Sequence, residues 1–420
     1  MTAGRPPKVT NRTAGNTDHG TGPSYDGGQG AGPVVRRGAV TVQHVAVDVS
    51  LDELAGADAP RVLAQLRASS PVAWVEAIGG WLVTSYELAV AVLRDAATFT
   101  VDDPRFSTAR VVGQSMLSLD GAAHRRHRAP FAPPFRPAQV SERFGARIEA
   151  QVSDLLERIV PDGAADLRTA LAGPLAVAVV ADALGLRNAD ASTVLGWYAA
   201  IVGAVSTITA GGTPDAAAVQ AMAELTAAVS DHREGSLLAG AHDALPPEEV
   251  VSNAAVLMFG GIETTEAMIS NALVHLLSRR RVLATIAADP ALLPLAVEES
   301  LRLEPAAAVV DRYATRPAAL GDQRIGAHDL VRVSITGANR DPAMFPEPDA
   351  FDLDRSNLRA QLAFARGPHV CVAMDLARLE TVIAVRTVLA RLPGLRLVEP
   401  VVARGLVFRK PATVPVRWRP

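Results

Sequence analysis

Cysteine and lysine are almost missing from this 420-residue chain: Cys371 is the single cysteine, and the lysines are Lys8 and Lys410. A lone cysteine cannot close an intramolecular disulfide, nor can it supply a multi-cysteine zinc or iron–sulfur site. Aromatic residues are only 4% of the chain, so the core must be built mostly from Leu, Val and Ala. No apolar run reaches transmembrane length without interruption. The apolar stretch Leu171 to Leu186 is broken by Gly173, Pro174 and Asp182 and reads as a buried helix. The N-terminus lacks the charged-then-apolar order of a signal peptide, so a cytoplasmic protein without a membrane anchor is expected. Positive charge is not in excess either: a net charge of −3 and a pI near 6.3 argue against nucleic-acid binding. The bias of arginine over lysine, with abundant alanine and glycine, points to a GC-rich bacterial genome.

What is present suits a large globular protein, with 49% hydrophobic and 20% charged residues. Residues 1–41 are rich in Gly, Pro, Thr, Asn and Asp and read as a disordered tail. The tail's Gly27-Gly28-Gln29-Gly30-Ala31-Gly32 has no strand before it and no helix after it, so it reads as linker and not as a nucleotide loop. Residues 46–420 show no second linker and no repeat and form one domain. Helical periodicity dominates it, at Ala59–Ser69, Tyr86–Arg94, His124–Phe131, Pro137–Ile159, Leu171–Gly185, Ala191–Thr209, Ala216–Ser230, Pro247–Leu277, Pro294–Arg302 and Val372–Leu392. Short strands fit Val72–Val75, Gly80–Val83, Gln323–Ile325, Leu330–Ile335, Arg396–Leu397 and Val414–Arg417. The fold class is mainly α with small peripheral β-sheets.

Cys371 lies in Phe364-Ala365-Arg366-Gly367-Pro368-His369-Val370-Cys371. Three readings of it stand: an inert buried thiol, a nucleophile, or a single thiolate ligand to a metal. Gly367-Pro368 reads as a rigid turn, and a helix follows from Val372. Cys371 therefore falls at a helix N-terminus, where free N–H groups and the helix dipole favour a thiolate. Arg366 and His369 add positive or donor character, and these flanks favour the ligand reading. His369 is a poor base for a nucleophile only two residues away, because such pairs normally meet through the fold.

The long helical stretch from Val250 to Leu277 breaks local rules at Gly260-Gly261-Ile262-Glu263-Thr264. Two interior glycines cost about 1 kcal/mol each relative to alanine, and a carboxylate in an apolar helix needs a partner. Thr264 is four residues beyond Gly260, so its hydroxyl can bond the Gly260 carbonyl and loosen the helix. Close helix packing through Gly260-Gly261 is the plain alternative. Glu299 and Arg302 lie three apart on one helix face, and His124 and Arg128 lie four apart on another.

The cysteine segment resembles the haem-binding loop of the cytochrome P450 family, Phe-x-x-Gly-x-His-x-Cys-x-Gly. Phe364, Gly367, His369 and Cys371 match, while Ala365 and Ala373 stand where glycine is common or usual. The resemblance implies the cytochrome P450 fold from about Ala46 to Pro420. It implies haem b with Cys371 as axial thiolate, and His124, Arg128, Arg312 and His369 as propionate partners. The Gly260-Gly261 segment is similar to the family's oxygen-binding groove. On that likeness Thr264 hydrogen-bonds dioxygen and Glu263 helps relay protons, since O–O cleavage needs protons delivered while bulk water is kept away. Glu299 and Arg302 correspond to the family's buried Glu-x-x-Arg pair, with Arg355 as third member. Arg125, Arg126, Arg359 and Arg366 are expected to form a basic patch for an acidic electron donor. By the same resemblance the substrate pocket draws on Val111, Val112, Met116, Leu257, Val309 and Val310. These side chains are mostly aliphatic, which suits an apolar substrate such as a terpenoid, polyketide or peptide-derived metabolite.

The resulting expectation is a monomeric haem-thiolate monooxygenase that inserts one oxygen atom from O2. Electrons would come from a separate ferredoxin or flavodoxin and an NAD(P)H-dependent reductase, since the chain has no fused flavin reductase. Two rivals are a haem-thiolate peroxygenase or haem-binding sensor on the same scaffold, and a cysteine-nucleophile hydrolase.

Overall fold

A computed structural model describes residues 9–12, 44–186, 189–209, 212–213 and 216–419. Its axis is the 31-residue helix Pro247–Leu277. Pro247 in the first turn presets the helical φ, and Glu248 and Glu249 meet the positive end of the dipole. This central helix is apolar nearly all round, so other helices must enclose it. Gly173–Leu184, Leu293–Leu303 and Met374–Arg391 pack on it directly. Pro137–Ile159 forms an outer layer on Met374–Arg391 and buries Val140, Phe144, Ile148, Val152 and Leu156, the four-residue spacing of one helix face.

The strands gather into three sheets. The largest runs, in spatial order, Val9–Arg12, His44–Val47, Val72–Val75, Gly80–Val83, Leu330–Ser334, Val309–Ala314 and Phe99–Thr100. A three-stranded sheet joins Arg396–Leu397, Pro415–Arg417 and Ala164–Asp166, and Ala318–Leu320 pairs with Gln323–Ile325. The strand Val9–Arg12 pairs antiparallel with His44–Val47 and accounts for four residues of the expected disordered tail. The other tail residues, including the glycine-rich Gly27–Gly32, lie outside the described residues.

Several elements differ from the periodicity reading, among them short helices such as Leu51–Ala55, Ser107–Val112, Leu237–His242 and Arg280–Ala288 that it did not give. Val309–Ala314 is a strand between two others, although Asp311 and Arg312 interrupt its apolar pattern. Asp311 stands opposite Arg332 on the neighbouring strand and accepts from its guanidinium Nε at 2.7 Å, so the charges are paired across the sheet. The helix expected from His124 instead spans Gly121–Arg128, and the helix after Cys371 starts at Met374.

One buried polar network holds the segment that leads to the cysteine loop. Glu299 and Arg302 are fully buried and bonded twice, at 2.7 and 2.8 Å. The surface-pair alternative for this motif is thereby ruled out. Arg302 also donates to the carbonyls of Asn339, Pro348 and Ala350, while Glu299 accepts from the Asp352 N–H and from Arg355. A planar five-donor guanidinium can satisfy this many acceptors from one point, which an ammonium cannot. Replacing Arg302 by alanine leaves Glu299 charged and buried. The expected loss is about 3–5 kcal/mol, read as a lower urea midpoint for Arg302→Ala, and Arg302→Lys should recover only part of it.

Candidate active site

The cysteine loop is shaped before any ligand is considered. The Cys371 N–H donates to the Phe364 carbonyl at 2.9 Å and the Val370 N–H to the Gly367 carbonyl at 3.2 Å. Gly367 has φ 74°, and a Cβ there would run into the Leu93 carbonyl, so only glycine lets the loop lie on that helix end. Ala365 takes φ 59° without being glycine. Phe364 carries the Arg378 guanidinium over its ring at 4.6 Å, and Glu298 holds that guanidinium at 2.5 Å.

Cys371 opens onto a cavity whose empty space is about 1430 Å³ with its mouth included. Burial pushes the Cys371 thiol up, against the downward pull of the Ala373 N–H and of Arg128 and Arg378. The helix end alone therefore does not make a thiolate. A buried, protonated thiol is a poor nucleophile, and His369 is turned to Asp120, at 2.8 Å, and not to the sulfur. A coordinated metal deprotonates such a thiol outright.

One end of the cavity is basic. Arg128 and His369 line it, and Arg128 donates to the Val370 carbonyl at 2.7 Å. The His124 ring lies tilted against that of His369 with centroids 4.3 Å apart, and its Nε2 is buried with no hydrogen-bond partner. Burial, with His369 and Arg128 beside it, holds the His124 imidazole down to about 4. Burial likewise lowers the Arg312 guanidinium, which donates to the Asp311 carbonyl at 2.7 Å. Asp120 is the carboxylate within this cluster; it also accepts from the Thr100 hydroxyl and the Val101 N–H. A buried basic end beside apolar walls asks for a flat, apolar molecule with an anionic edge, and an orphaned His124 nitrogen asks for an acceptor or donor. Haem, with two carboxylates on one edge, fits these residues.

The central helix forms another wall. The Thr264 hydroxyl donates to the Gly260 carbonyl at 2.5 Å, diverting a helix acceptor. The two glycines do different things. A Cβ on Gly260 would meet nothing within 4 Å, because that face looks into the cavity. A Cβ on Gly261 would come within 2.6 Å of Val180 Cγ2, so Gly261 is where the helix Gly173–Leu184 packs closest. Glu263 does not line the cavity. One of its oxygens accepts from the Tyr198 hydroxyl and the other meets Lys410 Nζ at 2.7 Å. Lys410 also reaches Glu266 at 3.0 Å, and Glu266 pairs with Arg168 at 2.5 Å.

Of the expected pocket residues, Met116, Leu257 and Val310 line the cavity. Val111, Val112 and Val309 do not. Val111 and Val112 belong to an apolar cluster packed against the central helix, and Val309 lines a separate small cleft with Leu82 and Arg409. Val180, Ala183 and Leu237 supply wall that was not foreseen. Their apolar helical pattern is that of any core residue, so nothing local marks them. Three polar residues were legible in principle: Asp120, four before His124; Lys410, one of two lysines; and Glu380, a carboxylate among Leu376, Ile383 and Ala384. Glu380 lines the cavity with Oε1 unpartnered, and burial pushes its carboxyl well up.

A thiol facing an apolar cavity, with a basic end and a threonine-notched helix, defines the haem-thiolate class of site. A family model described as Cytochrome P450 matches residues 227–393. The chain is 35% identical over 394 residues to cytochrome P450 monooxygenase PikC of Streptomyces venezuelae, covering 86% of this chain and 92% of that protein. It is 34% identical over 380 residues to nocardicin C N-oxygenase of Nocardia uniformis subsp. tsuyamanensis, covering 84% and 94%. The structure of HmtN, a post-tailoring hydroxylase involved in himastatin biosynthesis, superposes with a TM-score of 0.76 at 29% identity, covering 88% of this chain and 100% of HmtN. The chain belongs to the cytochrome P450 family and is an oxygen-incorporating oxidoreductase of the haem-thiolate type. No helix among the described residues is long and apolar enough to cross a membrane.

The two glycines separate in a stability measurement. Gly261→Ala overpacks against Val180 and should cost about 1–3 kcal/mol. Gly260→Ala gains helix propensity of about 1 kcal/mol and meets no atom, so its urea midpoint should equal or exceed that of the parent.

Proposed function

We propose that this protein is a monooxygenase that inserts one oxygen atom of O2 into a largely apolar secondary metabolite. The observation that carries this reading is one cavity holding Cys371 and the Gly260–Thr264 pair among aliphatic walls. Cys371 would hold the iron of haem b through its sulfur, and Arg128, His369, His124 and Arg312 would hold its two carboxylates. When bound, haem supplies dioxygen activation, with a thiolate ligand favouring O–O cleavage.

The chain's own residues do the rest. Met116, Leu257 and Val310 give the substrate apolar contact and exclude water, which would otherwise divert the oxidant. Thr264 offers a hydroxyl whose proton now goes to the Gly260 carbonyl and can turn toward the cavity. Glu263 stands one residue before it on the outer side, where its carboxylate accepts from Tyr198 and meets the Lys410 ammonium; it would take up a proton from that ammonium and pass it on to replace the one that Thr264 gives up. Kinship with nocardicin C N-oxygenase and with HmtN of himastatin biosynthesis supports a peptide-derived or similarly elaborated substrate. Electrons come from a ferredoxin or flavodoxin with an NAD(P)H-dependent reductase, docking where Arg125, Arg126, Arg359 and Arg366 are exposed or half-exposed.

The test is the yield of product per reducing equivalent, using the apolar ligand that shifts the Soret band most in a screen. General acid–base assistance is worth roughly 10²–10⁴ in rate. Thr264→Ala should therefore lower the yield at least about tenfold, with the electrons recovered as hydrogen peroxide, and Thr264→Ser should restore it. An unchanged yield in Thr264→Ala would overturn the relay and favour a peroxide-fed enzyme.

A further inference from the structure

The segment 113–120, between the helices Ser107–Val112 and Gly121–Arg128, carries Met116 and Leu117 into the cavity wall. It has no regular secondary structure; its middle is knitted to itself through Ser115 and Ser118, and its end is anchored by Asp120 to Thr100, Val101 and His369. Its backbone meets the central helix at one polar point: the Met116 N–H donates to Asn253 Oδ1 at 2.8 Å. Asn253 is fully buried. Its Nδ2 donates to the Glu249 carbonyl at 2.7 Å and faces His127 Nδ1 at 3.0 Å. The N–H on one side and the C=O on the other fix which way the amide points.

That direction constrains His127, which is also buried. Nδ2 carries two protons, so Nδ1 of His127 accepts one of them and carries no proton of its own. Nε2 lies 3.5 Å from Glu249 Oε2 and 3.1 Å from the Arg126 guanidinium that the same carboxylate holds. Burial lowers the His127 imidazole, consistent with the neutral ring. Turning the amide over would set Nδ2 against the Met116 N–H and Oδ1 against the Glu249 carbonyl. The middle of the loop, at Met116, is therefore held against the central helix by a side chain that touches neither cysteine nor cavity.

We propose that Asn253 is a positioning residue for the cavity wall: it sets the place of Met116 and Leu117, and His127 keeps its amide facing that way. The proposal rests on the cavity being the ligand site. Asn253 thereby controls how large a molecule fits beside Cys371.

Two readouts test it on the haem-loaded protein: hydrogen exchange at the Met116 amide, and the ratio of dissociation constants for imidazole and 4-phenylimidazole from the Soret shift. Asn253→Ala removes the acceptor, so Met116 exchange should quicken about tenfold or more and the ratio should change by a similar factor, the worth of one buried hydrogen bond. Asn253→Asp keeps an acceptor for Met116 but sets a second oxygen against the Glu249 carbonyl, so both readouts should fall between those of the parent and of Asn253→Ala. His127→Gln, which can still accept from Asn253, should stay near the parent, whereas His127→Leu leaves only the Glu249 carbonyl to hold Nδ2 and should move both readouts in the direction of Asn253→Ala, by a smaller factor. Equal exchange and equal ratios in Asn253→Ala and the parent would overturn the proposal. If Asn253→Ala fails to load haem, the contrast between His127→Gln and His127→Leu decides, and its absence overturns the proposal. Failure of imidazole to shift the parent's Soret band would overturn the ligand-site reading instead, while Met116 exchange would still judge the latch.

Discussion

A thiolate inside an apolar cavity is the constraint on which the rest of this structure turns. Burial favours the neutral thiol of Cys371, and the Ala373 N–H, Arg128 and Arg378 offset only part of that. A cation bound to the sulfur would supply the remainder, so the lone cysteine makes sense as a ligand and poorly as a nucleophile. The surrounding loop has little freedom in which to present it. Gly367 is pinned against Leu93, and the Glu299–Arg302 network fixes the chain that runs into Phe364. A rigid frame of this kind is what a metal ligand needs, because the sulfur must be placed before the metal arrives.

The central helix solves two problems on two faces. Toward the cavity it offers Gly260, Thr264 and aliphatic side chains. On the other side it carries Glu263 and Glu266, matched by Lys410 and Arg168 with Tyr198 alongside. Charge is thereby kept off the apolar face yet within one residue of Thr264. Arg409, the residue before Lys410, is itself buried and bonded to Glu304 at 2.6 Å, so the hairpin that presents the lysine is firmly seated.

Much of this was legible in the residues. The helices Pro137–Ile159 and Pro247–Leu277 fell where their apolar periodicity put them, because each buries a continuous stripe. The glycine pair signalled a broken rule in the right place, but sequence could not divide the work between Gly260 and Gly261. That division depends on Val180 from another helix. The strand Val309–Ala314 was hidden because Asp311 finds its partner, Arg332, only across the sheet. Val111, Val112 and Val309 were assigned to the pocket by resemblance; they lie on the helix Ser107–Val112 and the strand Val309–Ala314, whose side-chain directions no local pattern specifies, and they do not line the cavity. Buried partners reached over long sequence distance, such as Lys410 for Glu263 or Asn253 for Met116, leave no signal until the fold brings them together.

The central claim is that Cys371, as a thiolate, is the iron ligand. The spectrum of the reduced, carbon-monoxide-bound protein tests it most directly. The account predicts a strongly red-shifted Soret band in the parent protein and its loss in Cys371→Ala. An unshifted, imidazole-type band in the parent, or a red-shifted band that survives in Cys371→Ala, would contradict it.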